Sequence, residues 1–140
     1  LYTDPDTFGN CLRYQTQNKK YVKTGEAEIF YDPFTLAYDD AVINGTVFPI
    51  TFDLGYDKTK TYTGDEAFNQ AYLKKGDTVT LKCSSIDRRV FKFWESLNIS
   101  QNSVGNPFAT PLKIQGNVSN ALGVWAGYGT NYYTIIDSLK

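Results

Sequence analysis

The stretch Ser84-Ser85-Ile86-Asp87-Arg88-Arg89-Val90-Phe91-Lys92-Phe93-Trp94-Glu95-Ser96-Leu97-Asn98-Ile99-Ser100-Gln101 decides how the rest of the chain is read. Ile86, Val90, Phe93, Trp94 and Leu97 recur at helical spacing, so they fall on one face of a 3.6-residue period. This predicts one amphipathic helix over about 85–101. Ser84 three residues before Asp87 resembles a capping box with Asp in place of Glu. Asp87 also sets negative charge at the positive end of the helix dipole. Asn102, Gly105 and Pro107 stop the pattern. Lys92 and Glu95 lie off the stripe, on a solvated face. Phe91 lies off it too and calls for cover by a loop or another domain. Phe93 and Trp94 read as core, since aromatics at this spacing usually bury area.

Around this helix the periodicity changes from 3.6 to 2. Before it, Val79, Leu81 and Cys83 alternate with Thr78, Thr80 and Lys82, after a tight turn at Lys75-Gly76-Asp77. After it, strands are expected over Leu112 to Val118, over Leu122 to Gly129 and over Asn131 to Ile136. In the middle one, Val124, Ala126 and Tyr128 share a face, opposite Gly123, Trp125, Gly127 and Gly129. Glycines beside Trp125 either let another backbone approach the ring or leave it exposed as a ligand platform; the first reading is favoured.

The N-terminal half reads as strands and turns. Asp4 to Asn10 is a turn, and its Asp-x-Asp spacing lacks the later ligands of a calcium loop. Cys11 to Gln17 alternates Leu12, Tyr14 and Thr16 against Cys11, Arg13 and Gln15, the second face looking solvated. Further strands are expected at Tyr21-Val22-Lys23 and Ala27 to Tyr31. Asn44-Gly45 signals a type I′ hairpin. It leads into Val47 to Leu54, an edge or bulged strand because Pro49 has no N–H to donate. Gly55 to Gly64 is a polar loop, the most mobile stretch expected and a natural place for a partner or ligand contact. Asp65-Glu66 opens a short helical turn through Ala71. Asp39 and Asp40 are adjacent, so on a strand they point to opposite faces and make no convergent catalytic pair.

Composition bounds the function. The 140 residues fit a single β-rich domain, 1–140, and carry a net charge of −1 with no basic stripe, which gives no case for nucleic acid. No apolar run approaches a bilayer span. Aromatics make up 16% of the chain, eleven of them Tyr, which favours sheets. With no histidine, Ser-His-Asp and Cys-His catalysis, His-ligated haem and His-containing zinc sites are excluded. No phosphate-binding glycine loop is present. Cys11 and Cys83 could close one disulfide, but their strand faces, one solvated and one apolar, argue against it. Three Asn-x-Ser/Thr sequons, at Asn44, Asn98 and Asn117, are close to chance in so Asn-, Ser- and Thr-rich a chain.

Several segments together resemble a known family. They are Asp4-Pro5-Asp6-Thr7-Phe8-Gly9-Asn10-Cys11-Leu12-Arg13-Tyr14, Lys75-Gly76-Asp77-Thr78-Val79, and Ser85-Ile86-Asp87 leading into Phe91-Lys92-Phe93-Trp94-Glu95-Ser96-Leu97. Gly105-Asn106-Pro107-Phe108-Ala109-Thr110-Pro111, Gly116-Asn117-Val118 and Ala121-Leu122-Gly123-Val124-Trp125-Ala126-Gly127-Tyr128 follow in order. This order is similar to the C-terminal half of a Bacteroidota surface-lipoprotein family, domain-of-unknown-function family 4249, over about Asp4 to Tyr133. Leu12 departs from it, where an aromatic is common. The resemblance implies an exported, lipid-anchored protein of the outer membrane or cell surface. It touches the membrane only through an upstream anchor and works beside a nutrient transporter or another lipoprotein. The family carries no established activity, so no catalytic residue is implied. The start at Leu1 fits a mature product or the C-terminal portion of a longer protein.

The expectation is therefore a mainly β fold, an antiparallel barrel or sandwich closing over one helix. Its first function is a non-catalytic module, with no cofactor or metal, that binds an outer-membrane partner protein. The alternative is a binding module for a glycan, lipid or small hydrophobe, with Trp125, Tyr128, Tyr132 and Tyr133 as first contacts. A carboxylate hydrolase comes last.

Overall fold

The computed structural model describes residues 2–3, 10–22, 25, 28–39, 41, 45–49, 51–110 and 112–137. Its elements are β1 (Tyr2–Thr3), β2 (Asn10–Asn18), a 3-10 turn (Lys19–Tyr21), β3 (Val47–Phe48), α1 (Glu66–Gln70), β4 (Thr78–Asp87), α2 (Arg88–Asn102) and β5 (Gly129–Ile136). β2, β4 and β5 form an antiparallel three-stranded sheet in the order β2-β4-β5, and β1 pairs with β3. The sheet does not close on itself among the described residues. Of the two architectures expected, this open sheet is consistent with the sandwich-like one.

The helix begins later than its apolar stripe suggests. Ile86 belongs to β4, and Asp87 is the N-cap, in extended backbone with φ −75° and ψ 163°. Its carboxylate accepts the N–H groups of Arg89 at 2.7 Å and Val90 at 3.0 Å. Those are the orphan donors of the first turn. Ser84 cannot cap, because it too lies in β4. Its hydroxyl meets that of Thr130 at 3.0 Å. At the far end the Ser103 N–H bonds the Ile99 carbonyl, and Gly105 takes φ +86°.

The contacts divide the chain into two units. The first comprises Leu1–Arg13, Thr35–Ile50 and Ser85–Gly129; the second comprises Tyr14–Phe34, Thr51–Ser84 and Thr130–Lys140. In the first, Cys11, Ile86, Val90 and Phe91 form the core, with Ala37, Trp94, Val124 and Ala126 packed on it. Burying Val90 there contributes about 2 kcal/mol. Phe91, off the predicted stripe, is covered as that position demanded. The solvated face expected for Cys11 and Arg13 is not found. Cys11 is fully buried and Arg13 nearly so, because α2 lies over them. The Arg13 guanidinium sits 4.0 Å above the Trp94 ring, a cation–π contact that offsets its loss of water.

In the second unit the β4–β5 register is visible at both ends. Asp137 N–H bonds the Asp77 carbonyl, Gly76 N–H bonds the Asp137 carbonyl, and the Ser84–Thr130 hydroxyl pair lies at the other end. Gly76, with φ +85°, makes the turn into β4, and the Asp77 carboxylate closes it on the Lys74 N–H. The Tyr14 ring packs at a tilt against Phe52, with centroids 5.3 Å apart, and Val79, Leu54 and Ala71 are buried.

Several expected strands are not ladders. Tyr21 ends a 3-10 turn capped by the Asn18 side chain, which accepts the Lys20 N–H. Tyr31 makes a single antiparallel bridge to Thr16. After Val47–Phe48 and Pro49, the Leu54 N–H goes to the Ala71 carbonyl. Leu112 to Val118 forms no strand, and the Gln115 N–H goes instead to the Ser96 hydroxyl on α2. Between Leu122 and Tyr128 the chain forms no strand, and β5 starts at Gly129. The Asp4–Gly9 turn, Asp40 and Asn44 of the hairpin lie outside the described residues.

Candidate functional site

The segment after α2 is built from small polar clamps. The Ser103 hydroxyl donates to the Ile99 carbonyl at 2.7 Å, and the Asn106 side chain accepts the Phe108 N–H at 3.0 Å. Further on, the Asn117 N–H bonds the Gly123 carbonyl at 3.3 Å. Gly116 packs so closely on that carbonyl that a Cβ would overlap it. Asn120 turns the loop in left-handed backbone at φ 59°. The Asn117 side chain then holds Trp125 by both backbone atoms, at 2.7 Å each.

This scaffold presents apolar groups to solvent. Val104 is 84% exposed, Phe108 93%, Leu122 75% and Trp125 81%. Of the two readings of Trp125, the ring is held outward, while its neighbours Val124 and Ala126 pack on the core. Lys113 is the one charged residue between Glu95 and Asp137. A lone exposed Leu is ordinary. Charge depletion joined to exposed aromatics is the composition found at the centres of protein interfaces.

The other named candidates divide between the units. Tyr128 is part-exposed in the first unit, and its hydroxyl accepts the Trp94 indole N–H at 3.2 Å. Arg13, Trp94 and Tyr128 thus form one chain of contacts. Tyr132 and Tyr133 are exposed on β5 in the second unit and, as strand neighbours, point to opposite faces. Tyr132 contacts the Phe30 ring at 5.8 Å. Cys11 and Cys83 are not joined by a disulfide. Burial pushes the Cys83 thiol up from its ordinary pKa.

The second unit holds two concavities that sequence reasoning did not assemble. One is apolar, about 360 Å³, with Phe52, Leu54, Ala71, Val79 and Ile135 in its walls and Tyr72 and Leu73 half exposed. The other is a smaller cleft of about 50 Å³, lined by Tyr21, Tyr31, Tyr56 and Tyr62 together with Asp57 and Lys60. Gly55 fixes this cleft. Its N–H donates to the Thr16 hydroxyl at 2.6 Å, and a Cβ on it would overlap the Tyr31 carbonyl. The Gly55–Gly64 loop also bonds to itself. Asp57 accepts from the Thr59 hydroxyl at 2.6 Å and the Thr59 N–H at 3.0 Å, and Tyr62 donates to the Asp57 carbonyl at 3.0 Å. Spacing held one clue, the Asp57-Lys58-Thr59 turn signature; the convergence of Tyr21 and Tyr31 on the loop of Tyr56 and Tyr62 is tertiary.

The Thr59 hydroxyl, then its N–H, holds the Asp57 carboxyl below its usual range. Asp39 is engaged by the Arg88 guanidinium at 2.7 Å. Among the described residues no group of three or more His, Cys, Asp or Glu could hold a metal ion. No helix among them is long and apolar enough to cross a membrane.

A family described as a domain of unknown function (DUF4249) matches residues 7–134 of the 140. The chain belongs to the DUF4249 family. No curated protein and no solved structure matches it. The matched span of this DUF4249 chain includes α2, the Asn117–Trp125 clamp, the tyrosine cleft and the walls of the apolar concavity other than Ile135.

Proposed function

We propose that this DUF4249 chain is a non-catalytic module of a bacterial outer-membrane or cell-surface lipoprotein. In this reading it binds a protein partner within a nutrient-uptake complex, such as a transporter or a second lipoprotein. The supporting observation is the charge-poor segment after α2, with Trp125 clamped by its backbone and exposed by its ring. A rigid, exposed Trp loses little conformational freedom on docking and supplies a large contact, as interface hot spots do. The lipoprotein and outer-membrane setting rests on the resemblance of the ordered motifs.

The test is affinity capture of the full-length protein from native outer membranes, with co-purifying chains identified by mass spectrometry. A transporter or lipoprotein recovered with the native protein and lost with Trp125→Ala supports the proposal. Recovery of neither, at native abundance, overturns it. A second reading, a carrier of a small hydrophobe, is favoured by the apolar pocket of about 360 Å³, which lies within the usual size range of ligand sites. It predicts that a fatty-acid or terpenoid probe binds and that Val79→Phe, which fills the pocket, abolishes that binding.

A further inference from the structure

The tyrosine cleft of the second unit has a chemistry different from either surface above. We propose that it is a saccharide-binding site that takes one edge of a neutral sugar ring among Tyr31, Tyr56 and Tyr62, with Asp57 and Lys60 pairing its hydroxyls. Tyr56 is held between two rings, Phe34 at 5.1 Å and Tyr62 at 6.0 Å, the second edge-on. Such fixed rings offer flat apolar faces to the C–H groups of a pyranose at low entropic cost. The polar members complement them. Asp57 is an acceptor, Lys60 at 3.5 Å from it is a donor, and Gln70 and Asn18 add amide groups to the same lining. The one carboxylate and one ammonium cancel, so the cleft selects neither anions nor cations.

Shape and hydrogen bonding narrow the ligand further. A partly open space of about 50 Å³ admits a hydroxyl or hydroxymethyl group and leaves the rest of the ring against the tyrosines outside. An apolar ligand would find polar walls here and a better home in the 360 Å³ pocket. A peptide would seek backbone donors, and three of those in the loop are already used. The N–H groups of Gly55, Thr59 and Lys60 go to the Thr16 hydroxyl, the Asp57 carboxylate and the Asp57 carbonyl. Side chains are what the cleft presents. This site is independent of the partner surface around Trp125, so either can fail without the other.

Saturation-transfer NMR and calorimetry on the 140-residue chain test it. The probes are the methyl glycosides of glucose, galactose, mannose, xylose and N-acetylglucosamine, with the linear trimers of the parent sugars. At least one probe receives saturation from tyrosine rings and binds at millimolar concentration or tighter. Tyr56→Ala weakens it roughly tenfold, the size of one lost ring contact. Lys60→Met, at a side chain two-thirds exposed and so without a folding cost, weakens it several-fold. Trp125→Ala leaves it unchanged. No transfer to any probe overturns the site. So does binding that survives both Tyr56→Ala and Lys60→Met, or a preference for tyrosine-binding peptides over every sugar.

Discussion

Asn117 grips Trp125 by its backbone from both sides: the amide Nδ2 donates to the Trp125 carbonyl at 2.7 Å, and Oδ1 accepts the Trp125 N–H at 2.7 Å. The side chain thus stands in for a strand partner eight residues away and leaves the indole outside. Asn117→Ala removes both bonds. Each contributes about 1 kcal/mol net, and hydrogen exchange at residues 117–125 should speed accordingly. The core packed on α2 should keep its protection. Exchange unchanged at the Trp125 amide would contradict the clamp. Trp125→Ala, at a ring 81% exposed, should shift unfolding by no more than about 0.5 kcal/mol.

Asp87 carries the other local commitment, the switch from β4 to α2. Asp87→Ala loses two capping bonds and should cost about 1 kcal/mol by urea unfolding. Ser84→Ala removes only a hydroxyl pair to Thr130 and should cost less. If Ser84→Ala proved the more damaging, the helix would start where the capping-box pattern first put it.

These two residues also show what the sequence could and could not disclose. The apolar stripe of α2, the turn at Gly76, the short α1 and the last strand are local signals, and each is found. The start of α2 is not legible in the sequence because Ile86, which lies in β4, fits a helical stripe and a buried strand equally well. Arg13 looked solvated because alternation cannot say that Trp94, 81 positions on, will cover that face. Strands at Leu112–Val118 and past Pro49 failed for another reason. Their alternation is real, but their N–H groups find Ser96 and Ala71 rather than a ladder. The tyrosine cleft depends on Tyr21 and Tyr31 meeting the loop that carries Tyr56 and Tyr62, which no single-sequence spacing encodes.

Gly55 is where that meeting is enforced. Gly55→Ala sets a methyl group against the Tyr31 carbonyl, a backbone atom that cannot swing aside. The expected cost is about 1–3 kcal/mol, the range for overpacking a closed site, read as a lower denaturant midpoint at unchanged m. Gly25, with open space around its would-be Cβ but φ +87°, is the contrast. Alanine there should be strained by backbone alone, by about 1 kcal/mol. Equal, negligible effects at both positions would rule out the close Gly55–Tyr31 approach.

Acid and base should unfold the second unit through different groups. The Asp57 carboxyl is lowered when folded, by the Thr59 hydroxyl and N–H, so the unfolded chain binds its proton first as pH falls. Its contribution is present above the unfolded pKa and is lost as pH drops through the folded one. Asp57→Asn should therefore flatten the acid limb of a stability–pH profile, and Thr59→Ala should do so in part. The Cys83 thiol is raised by burial, so the unfolded chain ionises first as pH rises. That stabilisation is complete below the unfolded thiol pKa and is lost through the folded one. Cys83→Ser should remove part of the alkaline decline. Tyr62, raised by burial and then by the Asp57 charge, acts in the same direction at higher pH. Tyr62→Phe should blunt what Cys83→Ser leaves. Denaturant midpoints across the pH range for the parent and these four variants separate the limbs. An acid limb unchanged in Asp57→Asn would mean that the Thr59 contacts do not outlive the crowding of the loop in solution.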